Sequence, residues 1–378
     1  MNGSLFLAII FWGSLAVVFY TFAGYAILIG LLARLKRHRE RSPSPKAATV
    51  SVVLVAYNEA QRIGARIENL FDTDHPAEKL ELIVYSDGST DETAPILQSF
   101  PDKRVHAIIS NQRSGKAKGL NAAVAVAKGD IVVFCDARQR FNRSTIPNLV
   151  RNFADPQLGA VSGNYSIEGA GSTVGGGVDA YWRLEKFIRN AEAKWDSSIG
   201  CTGAIYAIRR DLFRSLPSDV LLDDVVIPMS IAEQGYRIGF DDAAVSIDPM
   251  NIEASRENRR KKRTLAGNFQ MLFRFPHWLL PWKNRLWWQL ISHKYLRIFA
   301  PLFLAAMFVS NAVLANEPLY RLLLAGQVLF YALAAIGLVF QSLKLAIVAI
   351  PTGFCFLNLM TVGGLWNYLR GTYREGKW

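Results

Sequence analysis

The placement of apolar residues constrains this chain more than any other feature. Ser4 to Ala33 contains no charged residue. At 1.5 Å per residue this run makes about 45 Å of helix, more than the roughly 30 Å hydrocarbon core of a bilayer requires. Further apolar runs lie at about 298–315, 319–341 and 345–366. Between these ends, short β-branched runs alternate with stretches of helical spacing. Such a chain must fold as a polar-surfaced α/β unit held between membrane helices. A cleaved leader fits the first run poorly. MNGSLF has no basic residue, the run is too long, and Arg34, Lys36, Arg37, Arg39 and Arg41 follow it. By the positive-inside rule the N-terminus is outside and the chain enters the cytosol at Arg34.

The formal net charge of +12 raises the question of a nucleic-acid partner. The basic residues cluster at 34–46, 256–263 and 283–297, each close to an expected membrane surface. Attraction to anionic lipid explains them more simply, and no nucleic-acid module is present in the sequence. Cys135, Cys201 and Cys355 lie far apart with no CxxC, so free thiols are expected. The five histidines are scattered and offer no metal-binding spacing.

The expected order is a membrane helix (1–33), a charged Pro/Ser linker (34–48), a cytosolic domain (49–275), an interfacial segment (276–296), about three membrane segments (297–369) and a tail (370–378). Within the domain, strands are predicted at 50–57, 81–88, 104–110 and 130–137, with a short one at RIGFDD (237–242). Helices are predicted at 59–71, at 119–129 closed by Gly129, and at 179–194. This alternation implies a parallel sheet with right-handed crossovers. Tyr57, Asn58 and Glu59, then Asp87, then Asp136 fall where strands end, and open α/β sheets bind ligands at those carboxyl ends. GAGSTVGGG (169–177) reads as a loop. Residues 277–296 hold four tryptophans among basic residues, the composition of a segment at headgroup depth. The last apolar run contains Pro351, Asn358, Gly363 and Gly364, so it either crosses, breaks, or lies in the membrane plane.

Seven short motifs follow in order: VAYNE (55–59), SDGSTDET (86–93), RSGKAKGLNAAV (113–124), CDAR (135–138), GCTG (200–203), LLDDVV (221–226) and RRKKR (259–263). Together they resemble family 2 glycosyltransferases of GT-A fold. They look most like the membrane-integrated branch with the cellulose, chitin, hyaluronan and poly-N-acetylglucosamine synthases. The resemblance implies a Rossmann-like, mostly parallel α/β domain embedded between transmembrane helices. It implies that Tyr57 stacks on uracil, Glu59 lines the pocket and Asp87 accepts the imide N–H. Ser89 and Asp91 are equally good helix caps. Lys116, with Lys118 near it, would stand by the diphosphate. Asp136 matches the first acid of the family's DxD metal site, for Mg²⁺ or Mn²⁺, but Arg138 replaces the second. Either the metal is held by Asp136 with phosphates and water, or the Arg138 guanidinium itself neutralises the diphosphate. Asp224 would be the general base, with Asp223 beside it as partner or helix cap. Gly203 would floor the acceptor site. Arg263 matches the arginine near the diphosphate, whereas Arg260 and Thr264 replace a glutamine and an acceptor-packing tryptophan.

The expected activity is therefore inverting hexosyl transfer from a UDP-sugar to a hydroxyl of a growing or lipid-linked glycan. Its setting would be extracellular or capsular polysaccharide synthesis at the inner (plasma) membrane. The missing tryptophan keeps open a non-processive transferase acting on a polyprenyl-phosphate lipid. Arg138 keeps open a catalytically silent nucleotide-binding subunit of an export complex.

Overall fold

The computed structural model describes residues 3–36, 48–167, 176–249, 254–340 and 345–371, with backbone alone for 167, 176–182 and 254–261. Most of the 34–48 linker, most of the 169–177 glycine stretch and the tail beyond 371 lie outside the described residues.

Among the described residues eight strands form one sheet: β1 (Val50–Ala56), β2 (Leu80–Asp87), β3 (Val105–Ser110), β4 (Ile131–Cys135), β5 (Arg140–Phe141), β6 (Leu158–Ile167), β7 (Ile205–Arg209) and β8 (Arg237–Asp248). Their order is β3-β2-β1-β4-β7-β6-β8-β5. The β3, β2, β1 and β4 half is parallel, as the alternation predicts. The other half is mixed: β7 runs antiparallel to β4 and β6, while β6 and β8 are parallel.

β1 is buried along its whole length because both faces of the sheet are covered. Val53 and Val55 meet Ile83, Val132 and Phe134 on one face, under Ala117, Leu120 and Ala123 of the helix Lys116–Val126. Val50, Val52 and Leu54 meet Leu82, Val84 and Val133 on the other, under Ile63, Ile67 and Leu70 of the helix Ile63–Phe71. That second helix starts four residues later than the spacing predicts, because 59–62 form a turn closed by the Glu59 carbonyl. The helix over 119–129 instead begins at Lys116 and ends before Ala127, so Gly129 is not its cap. A Cβ on Gly129 would lie 2.4 Å from the backbone nitrogen of Ser51, so glycine is required there for close approach.

Among the described residues, four helices are long and apolar enough to cross a membrane: Gly3–Leu35, Trp287–Leu314, Pro318–Val339 and Ala346–Arg370. Leu322, Val339 and Ile347 point outward, as lipid-facing residues do. The last helix is continuous through Pro351 and ends at Gly371 with φ +71, so it is neither broken nor interrupted. The expected interfacial segment is divided. Its second half belongs to the Trp287–Leu314 helix, and its first half joins the domain core. Trp278 is only 1% exposed, stacks on Phe275 at 4.4 Å and donates to Glu233 Oε1 at 2.7 Å. Trp282 alone of the four tryptophans is largely exposed.

Candidate active site

The ends of β1, β2 and β4 open on one edge of the sheet. The register Cys135↔Ile205 brings the 200–204 loop to the same edge. The helix Asp223–Glu233 starts against that loop, held by Cys201 N–H donating to the Asp224 carbonyl at 2.7 Å.

At the corner formed by β1 and β2, Tyr57 lies under the Arg113 guanidinium, 3.8 Å from the ring centroid. Asp87 is fully buried. One oxygen accepts from Ser114 N–H (2.6 Å) and Oγ–H (3.0 Å), the other from Gly115 N–H (2.9 Å). Asp87 therefore sets the turn that leads into Lys116. Gly88 permits this approach: its φ is +66, and a Cβ there would meet Arg113 N at 2.5 Å. Asp91 is not the cap of the helix Thr93–Gln98, whose cap position is Glu92, but closes the turn that leads into it. It accepts from Thr93 N–H and Oγ–H and from Ala60 N–H, and Ser89 Oγ receives Asn58 N–H. Burial acts to raise the Asp91 carboxyl, and those hydrogen bonds hold it below its ordinary value. Glu59 faces Arg62 at 3.3 Å.

At the centre, Lys116 Nζ lies 3.2 Å from Asp136 Oδ1 and 3.3 Å from Asp223 Oδ2. Lys118 is exposed instead. Burial opposes the Lys116 charge, yet Asp136, Asp223 and Asp224 hold its pKa above the usual lysine value. Asp223 is nearly buried. Burial foremost raises its pKa, Lys116 opposes, and Asp224 and Asp136 add to the rise. Tyr206 O–H reaches Asp223 at 3.5 Å. Asp223 does not cap its helix: the cap position is Leu222, with no side-chain cap bond. Asp224 is half-buried, and its carboxylate makes no hydrogen bond or ion pair among the described residues. Gly203 floors it, since a Cβ there would lie 3.0 Å from Asp224 Oδ2. Arg263, on the helix Ala254–Arg274, acts electrostatically on both Lys116 and Asp223. Thr264 is exposed on that helix, and the Arg260 side chain lies outside the described residues.

Arg138 departs from the diphosphate role. Its guanidinium pairs with the fully buried Asp248, which also accepts from Tyr165 O–H at 2.5 Å and Gln139 Nε2–H at 3.0 Å. The replaced second acid of the DxD-like motif thus serves the fold. Asp136 remains as one carboxylate, 38% exposed. Mg²⁺ and Mn²⁺ accept one or two carboxylates completed by substrate phosphates and water, so Asp136 fits such an ion when a diphosphate is present. Among the described residues there is no group of three or more His, Cys, Asp or Glu that could hold an ion without one. Sequence reasoning missed Arg113, which lies inside a quoted motif, and Asp248 and Arg189, which lie outside every motif. Arg189 donates to Glu185 and to Thr202 Oγ1, next to Gly203.

Residues 51–216 match the model of Glycosyl transferase family 2. The chain is 25% identical over 240 residues to "Probable glycosyltransferase YdaM" of Bacillus subtilis, covering 60% of this chain and 56% of that protein. It is 25% identical over 202 residues to a poly-β-1,6-N-acetyl-D-glucosamine synthase of Staphylococcus aureus, covering 52% and 48%. The chain thus spans about half the length of the curated relatives it matches. The mannosyltransferase PcManGT of Pyrobaculum calidifontis, solved with GDP-Man and Mn²⁺, superposes over 96% of this chain and 99% of its own at TM-score 0.71 and 25% identity. The mixed sheet with its helices is GT-A-like.

Proposed function

With a glycosyl transferase family 2 domain over residues 51–216 as the premise, we propose that this chain is a membrane-held inverting hexosyltransferase. It takes a sugar from a nucleoside-diphosphate sugar and passes it to a hydroxyl of a growing or lipid-linked glycan. One observation supports this most: Lys116 is flanked by Asp136 and Asp223 at the sheet edge, with the Asp224 carboxylate, which makes no hydrogen bond or ion pair among the described residues, next to them.

Asp224 removes the acceptor proton as the hydroxyl oxygen attacks the anomeric carbon from the face opposite the diphosphate. The bond to the diphosphate oxygen breaks, and the configuration inverts. Lys116 and Arg263 meet the charge that develops on the leaving group. Asp136 would hold Mg²⁺ or Mn²⁺, which supplies Lewis-acid neutralisation of the two phosphates. Tyr57, Glu59 and Asp87 border the base side, and Gly203, Arg260 and Thr264 the acceptor side. We take the donor as a UDP-sugar. The GDP-Man in the Pyrobaculum complex supports a GDP-sugar as the second reading. The poly-β-1,6-N-acetyl-D-glucosamine synthase relatives support a place in polysaccharide synthesis. The long apolar helices support an inner (plasma) membrane setting, the positive-inside rule supports a cytosolic domain, and export subunits are the partners such a setting would take.

The test is a panel of UDP- and GDP-sugars incubated with full-length protein in membranes, with and without Mn²⁺. Nucleotide release from one donor, dependent on acceptor, is expected. No release from any donor would favour a silent nucleotide-binding subunit.

A further inference from the structure

Glu185, Arg189 and Glu192 are spaced four and three residues apart, so they share one face of the helix Gly176–Trp195. That face meets the loop that floors Asp224. Arg189 Nη1–H donates to Thr202 Oγ1 at 3.1 Å, and Glu192 Oε2 accepts Ile199 N–H at 3.2 Å. Between these two points Gly200 takes a φ of +76, and Cys201 N–H reaches the Asp224 carbonyl. Gly203 follows at once, against the Asp224 carboxylate. The loop thus touches Asp224 through backbone and side chain, and the helix holds the loop on either side of the backbone contact.

The same face is held in turn by two long apolar helices. Tyr25 O–H, from Gly3–Leu35, donates to Glu192 Oε1 at 2.6 Å. His293, from Trp287–Leu314, lies between the two carboxylates, with Nδ1 2.9 Å from Glu192 Oε1 and Nε2 3.0 Å from Glu185 Oε2. Arg297 Nη1–H donates to Glu185 Oε2 at 2.7 Å, and Arg189 Nε–H to Glu185 Oε1 at 3.1 Å. Tyr25, Glu185, Glu192 and His293 are each less than one-tenth exposed. Buried hydrogen-bond networks of this kind rigidify what they connect. One run of bonds is therefore Tyr25–Glu192–Ile199, and the other is Arg297–Glu185–Arg189–Thr202. The nucleotide corner has separate supports. Asp87 is held by Ser114 and Gly115, and Asp91 by Thr93 and Ala60, all within the domain.

We propose that Arg189 and Glu192 are positioning residues that hold the floor of Asp224 from the apolar helices, so that the seating of those helices sets the rate of transfer and leaves nucleotide affinity alone. The rate rests on the transferase reading, whereas the mechanical link does not. A cluster that served the fold alone would lower the share of folded protein, and each folded molecule would work at the native rate.

The experiment compares full-length protein in phosphatidylcholine nanodiscs as native, Tyr25→Phe, Thr202→Val, Thr202→Ser and Lys186→Ala. Tyr25→Phe removes one O–H on an apolar helix. Thr202→Val keeps the shape and removes the oxygen that Arg189 uses, and Thr202→Ser keeps that oxygen. Lys186 lies on the same helix as Arg189 but pairs with Asp242 at the surface, so Lys186→Ala is the control. The first readout is amide hydrogen exchange without substrate, which reports local opening. Exchange over 199–205 is expected to quicken about tenfold in Tyr25→Phe and Thr202→Val, and to stay native in Thr202→Ser and Lys186→Ala. Exchange over 111–116 stays native in all. The second readout is sugar transfer per nucleotide-binding site. It should fall about tenfold in Tyr25→Phe and Thr202→Val and recover in Thr202→Ser, with UDP or GDP affinity unchanged. Native exchange over 199–205 in Tyr25→Phe overturns the link. A native rate per site in Tyr25→Phe and Thr202→Val overturns the positioning role. Quickened exchange in a protein whose native form transfers from no donor would uphold the link and sink the transferase reading, so the two failures are distinguishable.

Discussion

Asp223 and Asp224 are neighbours in sequence with unlike surroundings, and their difference is measurable. Asp223 is 5% exposed, and burial raises its pKa despite Lys116. A raised carboxyl binds its proton more tightly in the fold than in the unfolded chain. Its contribution to stability is therefore fully present below the ordinary aspartate value of about 4 and is lost as pH rises through the raised value. At neutral pH the ionised group is a net cost. Asp223→Asn should then melt at higher temperature than the native protein near pH 7, with the gain shrinking as pH is lowered. A gain independent of pH would refute this. Arg138 gives the opposite case. Arg138→Ala leaves Asp248 with Tyr165 and Gln139 but no cation. A loss of roughly 1.5–3 kcal/mol is expected, the worth of a hydrogen bond to a charged group. Thermal melting would show it, while the Mn²⁺ response of nucleotide binding stays unchanged.

At the scale of elements, the 200–204 loop matters because it carries Gly203 against Asp224. Gly203→Ala would push on Asp224 Oδ2 from 3.0 Å. Transfer should slow by about tenfold or more, because catalytic groups tolerate little misplacement, while nucleotide affinity holds. Equal loss of both would place Gly203 in the fold rather than the site. The strands β1, β2 and β4 were legible because burial on both faces demands unbroken apolar runs. The Asp87 and Asp136 positions followed from where those runs stop. β6 was not legible, and of β8 only the RIGFDD half was. β8 runs twelve residues, Arg237–Asp248, and carries Asp241, Asp242 and Asp248 inside a strand. Those acids are held by partners distant in sequence: Arg151 for Asp241, Lys186 for Asp242 and Arg138 for Asp248. The Arg138–Asp248 pair is hidden from the sequence for the same reason, since nothing near Arg138 announces Asp248. The tryptophans at 278–288 mimic a headgroup belt, yet Trp278, Trp287 and Trp288 spend their N–H groups on Glu233, the Leu279 carbonyl and Tyr20.

Over the whole molecule, the long apolar helices and the candidate active-site edge pack against each other. The core containing Val53 and Phe134 runs on through Trp278, Leu286, Leu290 and Ile298. The last membrane helix touches the helix bearing Arg263, where a Cβ on Gly364 would lie 2.5 Å from Leu265 Cβ. Gly267 on that helix packs against Leu222, just before the acid pair. The proposed topology, with the N-terminus outside by the positive-inside rule, would put this edge in the cytosol. A reporter active only outside should be active when fused at Met1 and silent at Ser44. The reverse pattern would separate the site from its nucleotide-sugar supply. The central claim, that Asp224 acts as the base at a nucleotide-sugar site, is tested most directly by one paired measurement on Asp224→Asn. Affinity for UDP or GDP and the rate of sugar transfer are both compared with the native protein. The account predicts unchanged affinity and transfer slowed by about 10²–10⁴-fold. Transfer at a near-native rate would contradict it.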